Sequence, residues 1–275
     1  MWGWSMALVA VVQMISKAHV QANLDALAIF FVQARERDVK LIVLPENFAL
    51  MGMNETDKLA VAEDYGRGKI QQVVSQLAKH YGLWVIAGTM PLRGINKRVK
   101  ASSLVFDDQG VCVARYDKIH LFDVRVSEHE AHQESLTVER GDRIIVVDTP
   151  VGRVGLSVCY DLRFPELYRQ LALKGADIFV VPSAFTAVTG SAHWEILLRA
   201  RAIENLCYVV APNQGGHHEN GRHTYGHSMI IEPWGKVLDE RILGAGIVVA
   251  DIDLQRLQQL RRQFPCNEHH ILNMA

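Results

Sequence analysis

The 275-residue sequence has few cysteines, almost no net charge and no long hydrophobic run, and each absence excludes a class of protein. A formal net charge of −1 leaves no basic surface for nucleic acid or for an anionic membrane. The apolar stretch 6–14 is too short to cross a bilayer, and no basic residue precedes it as in a signal peptide. The few cysteines are far apart, which excludes a CxxC motif and argues against a disulfide scaffold: Cys112, Cys159, Cys207 and Cys266. We therefore expect a protein of the reducing cytoplasm.

What the sequence does contain is an alternation of apolar strands with amphipathic helices, in a composition that is 49% hydrophobic and 21% charged. No stretch resembles a linker, a repeat or a low-complexity tract, so we expect one domain over residues 1–275, with a core at about 6–265. The predicted helices are 19–37, 69–80, 165–174, 193–204 and 254–263. The predicted strands are 6–13, 40–44, 83–88, 101–106, 111–116, 144–148, 153–158, 178–181, 208–211, 227–232, 237–241 and 248–252.

The arrangement of these elements indicates the fold class. Helix–strand alternation mixed with hairpins is typical of an α/β protein with mixed sheets. About a dozen strands are too many for one strongly twisted sheet, whereas two sheets packed face to face would bury them. We therefore predict a four-layer α-β-β-α sandwich in a single domain.

Two predicted strands end in residues that can carry chemistry. Glu46 follows the strand that stops at Pro45, and Cys159 follows the strand that stops at Val158. In α/β sheets, sites gather beyond the carboxyl ends of strands, so we expect Glu46 and Cys159 to lie near each other. A cysteine at such a bend is a candidate nucleophile, the glutamate a candidate general base, and Lys118 a candidate positive charge for a thiolate and an oxyanion. Taken one at a time, each has a commoner explanation: an inert buried cysteine, a surface carboxylate and a solvated lysine.

Three motifs, taken together, reverse those individual assignments. They are Leu44-Pro45-Glu46, the segment 116–122 (YDKIHLF) and the segment 158–166 (VCYDLRFPE). In this order and spacing they resemble the carbon–nitrogen hydrolase (nitrilase) superfamily, and the similarity runs over nearly the whole chain. The resemblance implies a Glu–Lys–Cys triad.

Within that resemblance, Cys159 is the nucleophile that forms a thioester and Glu46 is the general base. Lys118 stabilises the oxyanion, with help from the backbone N–H of Tyr160. The family often has a second glutamate between the lysine and the cysteine. Glu134 in Gln133-Glu134-Ser135 matches its setting, and Glu128 and Glu130 are the alternatives.

Further segments indicate the class of amide that the protein hydrolyses. The segments 182–186 (PSAFT) and 189–195 (TGSAHWE) are similar to a branch that includes omega-amidase and deaminated glutathione amidase. Pro165 and the segments 216–219 (GHHE) and 225–228 (YGHS) favour the second activity, whose products would be 2-oxoglutarate and cysteinylglycine. An omega-amidase acting on 2-oxoglutaramate or 2-oxosuccinamate is the main alternative. A catalytically silent binding protein and a nitrile-hydrolysing enzyme are less favoured.

The implied substrates carry carboxylates, for which Arg163 and Arg199 are the candidate partners. For both arginines a structural ion pair or a helix-face charge is the favoured explanation. By family position, Phe185 and Thr186 line the substrate pocket.

The remaining expectations concern metals, cofactors and partners. Four histidines lie close together in residues 217–227, but their spacing fits no usual zinc motif, so we favour a structural or substrate-contacting loop. The resembled family uses no metal, and we expect no cofactor. The resemblance also implies that the protein is a homodimer and that its substrate is a small-molecule amide. The tail 266–275 departs from the basic, aromatic-ended family tail that often reaches the partner subunit.

Overall fold

The computed structural model describes residues 6–126, 131–269 and 271. Its helices are α1 Val20–Glu36, α2 Asp57–Ala60, α3 Lys69–Tyr81, α4 Pro165–Leu173, α5 Ala187–Asn205 and α6 Leu254–Gln263. Its strands are β1 Ala7–Gln13, β2 Leu41–Val43, β3 Trp84–Ile86, β4 Met90–Arg93, β5 Val99–Phe106, β6 Cys112–Asp117, β7 Asp123–Arg125, β8 Ala131–Gln133, β9 Val146–Thr149, β10 Gly152–Leu156, β11 Ile178–Val180, β12 Tyr208–Ala211, β13 Gly215–His217, β14 His223–Tyr225, β15 Ser228–Ile231, β16 Val237–Arg241 and β17 Gly246–Ile252.

These strands form two large mixed sheets. The first has the order β17-β1-β2-β3-β5-β4, with β6 paired to β5, and the second has the order β16-β15-β12-β11-β10-β9. The centre of each sheet is parallel: β1, β2 and β3 in the first, β10, β11 and β12 in the second. Antiparallel hairpins extend both sheets. The predicted mixture of parallel and antiparallel strands is confirmed.

Strand β1 shows how the layers stack. Its side chains alternate between two cores, as the two-residue period of a strand requires. Val9 and Val11 pack into the core between the two sheets, which also contains Val154 and Leu156 of β10. Ala10 and Val12 face the other way, into the core beneath α1 and α3.

Helices α4 and α5 cover the outer face of the second sheet through Leu167, Leu171, Trp194 and Leu198. The order α1/α3, first sheet, second sheet, α4/α5 is the predicted four-layer sandwich, and that prediction is confirmed. The domain boundaries stay a prediction.

Helix α5 begins six residues before its predicted start. Thr186 is its N-cap, and the Thr186 hydroxyl accepts the Thr189 backbone N–H at 3.2 Å. Gly190 lies in this first turn, where helix propensity disfavours glycine. A side chain at position 190 would overlap the Tyr225 ring, so the glycine permits close packing of α5 on β14.

Some short elements were not predicted, namely α2, β4 and the hairpins β7–β8 and β13–β14. In the described ranges, none of the helices has the length and apolar character needed to cross a bilayer.

Candidate active site

Glu46 lies just beyond the carboxyl end of β2. The Leu44 N–H donates to the Ile86 carbonyl at 2.9 Å, so Pro45 and Glu46 leave the sheet immediately afterwards. Gly88 has a φ of +32°, and a Cβ there would overlap the Pro45 carbonyl oxygen. Only glycine therefore lets the chain after β3 pass this close to the turn that carries Glu46. The Glu46 side chain is buried.

Cys159 lies at the corresponding place beyond β10, at the start of the 3₁₀ helix Cys159–Arg163. Its φ of +48° is in the left-handed region, which a residue with a side chain rarely adopts. The Cys159 N–H donates to the Pro182 carbonyl at 3.0 Å and fixes this sharp turn. The sulfur is consequently directed from a strand end into the cavity that Glu46 also lines.

Lys118 joins the site from the end of β6. Its side chain is only 2% exposed, and its Nζ lies 2.9 Å from Glu46 Oε1. The same Nζ lies 2.9 Å from Glu134 Oε2 and 3.1 Å from Glu134 Oε1. One buried ammonium thus bridges two carboxylates that come from different segments.

Glu134 opens the short 3₁₀ helix Glu134–Leu136. Besides contacting Lys118, it accepts the Phe122 backbone N–H at 2.7 Å, which fixes its carboxylate. Its carboxylate therefore lies beside Lys118, and its role as the second glutamate stays a prediction. The alternatives Glu128 and Glu130 lie outside the described residues.

The electrostatics of the site favour a charged lysine and a protonated cysteine. Burial by itself would lower the pKa of Lys118, but Glu134 and Glu46 outweigh it and raise that pKa well above its usual value. Burial, and then the Glu46 carboxylate, raise the pKa of Cys159 well above that of an ordinary thiol, against the opposing effect of Lys118.

Burial decides the resting state of the Cys159 sulfur. The residue is 8% exposed, and its raised pKa makes the resting sulfur a neutral thiol. The Glu46 carboxylate, which can remove the thiol proton, lines the same cavity. The arrangement therefore suits transfer of the proton during attack, rather than storage of a stable thiolate.

Asp161 is a buried carboxylate in the segment 158–166, and no role was predicted for it. One oxygen accepts the Val158 N–H at 2.8 Å and the Tyr116 hydroxyl at 2.7 Å. The other accepts the His120 N–H at 3.0 Å and lies 2.7 Å from His120 Nδ1. Asp161 thereby ties the segment before Cys159 to the residues on both sides of Lys118. The sequence offered one signal for this role, since Asp161 is an acidic residue between Tyr160 and Leu162.

The Tyr160 backbone N–H belongs to the first turn of the 3₁₀ helix, where donors have no partner inside the helix. Its neighbours are used elsewhere: the Cys159 N–H donates to the Pro182 carbonyl and the Asp161 N–H donates to the Val158 carbonyl, each at 3.0 Å. Tyr160 directly follows Cys159 in the sequence, so its N–H is suited to stabilise negative charge that forms beside the sulfur.

One cavity is lined by all four candidate catalytic residues: Glu46, Lys118, Glu134 and Cys159. It holds about 1080 Å³ of empty space, its open mouth included. All four predicted substrate-binding residues line it: Tyr160, Arg163, Phe185 and Thr186.

The two candidate arginines lie in different places. The Arg163 guanidinium contacts His193 Nδ1 at 3.3 Å and lies 5.6 Å from the Phe185 ring centroid. Among the residues that the structure describes, no carboxylate pairs with Arg163. Arg199, by contrast, pairs with Glu195 at 3.1 Å on the face of α5 and donates to the Gly235 carbonyl at 2.8 Å. Arg199 thus forms an ion pair on the helix face, which was the favoured explanation, and it does not line the cavity.

The histidine-rich segment forms the hairpin β13–β14. The rings of His217 and His223 stack at 3.8 Å, and His218 bridges the Ser16 carbonyl at 3.0 Å and the Thr224 hydroxyl at 2.8 Å. Within residues 6–126, 131–269 and 271, no group of three or more potential metal ligands is gathered in one place.

Further polar residues on the cavity wall were not predicted, and they come from α2 and from loops without a regular pattern. They are Asn54, Glu55, Lys58, Asn220 and Arg222.

Comparison with known proteins places this geometry in context. A family model described as carbon-nitrogen hydrolase matches residues 8–262. The chain is 42% identical over 267 residues to a deaminated glutathione amidase of Yersinia enterocolitica, covering 96% of this chain and 93% of the relative. It is 41% identical over 268 residues to a deaminated glutathione amidase of Synechocystis, covering 96% and 98%.

The fold is also similar to the crystal structure of the Caenorhabditis elegans NitFhit protein. The TM-score is 0.90 at 37% identity. The match covers 96% of this chain but 65% of that one, so the chain spans less than two thirds of NitFhit.

Proposed function

The chain belongs to the carbon–nitrogen hydrolase family, and on this premise we propose that it hydrolyses the amide of deaminated glutathione. The products are 2-oxoglutarate and cysteinylglycine. The observation that carries the proposal is the contact of Lys118 with Glu46 and Glu134 beside the Cys159 thiol, in one buried cavity. The shared name of relatives about 41% identical over nearly the full chain supports this substrate.

In the first half-reaction, the Cys159 sulfur attacks the amide carbonyl carbon as Glu46 takes the thiol proton. Negative charge develops on the carbonyl oxygen, where the Lys118 ammonium and the Tyr160 N–H stabilise it. The C–N bond then breaks, and Glu46 gives its proton to the departing nitrogen. The amine leaves, and a thioester remains on Cys159.

In the second half-reaction, water takes the place that the amine has left. Glu46 removes a proton from the water as its oxygen attacks the thioester carbon. The C–S bond breaks, the acid product forms and the proton returns to the sulfur. The same carboxylate thus takes up and returns a proton in each half-reaction, and its contact with the Lys118 ammonium at 2.9 Å holds it in place.

Glu134 and Arg163 have different roles in this scheme. Glu134 positions Lys118, because it contacts the same Nζ as Glu46 and is itself anchored by the Phe122 N–H. Arg163 binds the carboxylate of the 2-oxo acyl half, for which its fixed planar donors are suited. Phe185 and Thr186 shape the wall around that half.

Kinetics with two substrates test the proposal. Deaminated glutathione and 2-oxoglutaramate give the same product, 2-oxoglutarate, so one coupled assay measures both. We expect a higher kcat/KM for deaminated glutathione. A strong preference for 2-oxoglutaramate would make the chain an omega-amidase, and ammonia release from nitriles alone would make it a nitrile hydrolase. No turnover of any of these substrates would favour a silent binding protein.

We also propose that the protein is a homodimer of the cytoplasm. The family resemblance supports the dimer, and four cysteines without a disulfide support a reducing compartment. The mass in solution, measured by light scattering after size exclusion, tests the dimer, and a monomeric mass would contradict it.

A further inference from the structure

A second group of charged side chains lines the same cavity, and the mechanism above does not use it. We call Glu55, Lys58 and Arg222 the rim cluster. Lys58 Nζ lies 2.7 Å from Glu55 Oε2, and Arg222 Nη1 lies 3.9 Å from Glu55 Oε1. Burial by itself would raise the pKa of Glu55, but Lys58 and then Arg222 outweigh it and lower that pKa. Two cations therefore share one carboxylate, and the cluster has one positive charge in excess.

The rim cluster lies toward the open side of the cavity. Its side chains are 54% exposed for Glu55, 23% for Lys58 and 27% for Arg222, whereas Lys118 is 2% exposed. Among the described residues, the side-chain ion pairs and hydrogen bonds of the cluster join its members to each other and not to the catalytic groups. Within the described residues, the excess charge therefore faces the cavity without a second carboxylate.

Asn220 holds the two segments of the cluster together. Its Nδ2 donates to the Gly52 carbonyl at 2.7 Å, which ties the loop before β14 to the segment that leads into α2. Its Oδ1 accepts the Arg222 backbone N–H at 3.0 Å. Lys58 and Arg222 are therefore brought to the same place before any substrate arrives.

The order of bond breaking decides which half of a substrate meets this cluster. In a thioester mechanism the acyl half stays on Cys159, and the amine half must leave before water can enter. The amine half must therefore lie on the open side of the cavity. In deaminated glutathione that half is a dipeptide ending in a carboxylate, about 7 Å from the scissile nitrogen when extended.

We propose that Lys58 and Arg222 bind the terminal carboxylate of the departing dipeptide and so select substrates with a peptidyl amine half. This inference rests on the proposed function and adds a second anion site to it. Arg163 meets the carboxylate of the acyl half, and the rim cluster meets the carboxylate of the amine half. An amide whose leaving group is ammonia places no charge at the rim cluster and gains nothing from it.

The test compares deaminated glutathione with the analogue in which the terminal glycine carboxylate is a primary amide. The scissile bond and the acyl half are identical, so only the rim interaction changes. For the wild-type enzyme we expect KM to be about ten-fold higher for the amide analogue, since a charge-assisted contact is lost. In the Lys58→Gln/Arg222→Gln double variant we expect the two KM values to be nearly equal. Arg143→Gln is the matched control, because Arg143 is 86% exposed outside the cavity, and it should keep the wild-type ratio.

The outcomes separate this inference from the proposed function. Equal KM values for the two substrates in the wild-type enzyme overturn the inference, whatever the variants do, and leave the proposed function standing. A double variant that turns over both substrates and keeps the ten-fold ratio also overturns it, because the carboxylate is then bound elsewhere. No turnover of either substrate by the wild-type enzyme overturns the proposed function, and the inference with it.

Discussion

The substitution Asp161→Asn tests how the catalytic segments are held together, because it keeps the shape of the side chain and changes only its bonding. Each Asp161 oxygen accepts one backbone N–H, from Val158 or from His120. Each oxygen also contacts one group that can act as either donor or acceptor, the Tyr116 hydroxyl or the His120 ring. An asparagine amide has one oxygen and one NH2 group. In either orientation, its NH2 group faces a backbone N–H that cannot accept.

The magnitude follows from this count. Asp161 is fully buried, so the backbone N–H that loses its acceptor costs about 1–3 kcal/mol. The bonds that survive change from charged to neutral, which costs about 1 kcal/mol more. We expect Asp161→Asn to lower the free energy of unfolding by about 2–4 kcal/mol, measured by equilibrium denaturation in urea.

Activity should fall as well, because Val158 precedes Cys159 and His120 follows Lys118. Misplacement of these groups by a fraction of an ångström is expected to reduce kcat by about ten-fold or more under conditions where the variant is folded. The control is Asp142→Asn, whose side chain is 92% exposed, and it should change stability by less than about 0.5 kcal/mol. A loss below about 1 kcal/mol for Asp161→Asn would refute the reasoning.

Three further predictions concern the turn that carries Glu46, the buried histidine and the resting thiol. Gly88→Ala should lower kcat and stability together, because its Cβ overlaps the Pro45 carbonyl oxygen, and an active, stable variant would contradict the role of this turn. Burial, and then the nearby cations, lower the pKa of His218 below its ordinary 6.5 although Ser16 opposes them. The stability contributed by its neutral ring is therefore fully present above about pH 6.5 and is lost as the pH falls toward the lower folded value. The free energy of unfolding should fall over this range more steeply for the wild-type chain than for His218→Gln, and equal slopes would refute the assignment. The resting Cys159 should give no thiolate ultraviolet absorbance at neutral pH relative to Cys159→Ala, because its pKa is raised, and a thiolate signal there would be inconsistent with the buried neutral thiol.

Strand ends indicated that Glu46 and Cys159 would lie near each other, and the three motifs together singled them out. Glu46 and Cys159 each follow an apolar strand, and strand ends are where α/β folds bring distant segments together. Glu134 was singled out only through its resemblance to a family position. The sequence could not reveal that Lys118 contacts both glutamates, since this depends on the packing of three segments.

Other features escaped prediction for different physical reasons. The start of α5 was missed because Gly190 in its first turn is selected by packing against Tyr225 rather than by helix propensity. Lys58 and Arg222 lie in segments without a hydrophobic period, and a tertiary contact through Asn220 joins them. The raised pKa of Cys159 could not be predicted either, because it depends on burial, and burial cannot be deduced from three motifs.

Trapping of the covalent intermediate tests the central claim most directly. The enzyme is mixed with deaminated glutathione, quenched in acid within the first turnover and digested, and the cysteine-containing peptides are weighed by mass spectrometry. We predict a 2-oxoglutaryl thioester on the peptide that contains Cys159 and on none containing Cys112, Cys207 or Cys266. Cys159→Ala should fold, form no adduct and show no turnover. Retained turnover in Cys159→Ala, or an adduct on another cysteine, would contradict the account.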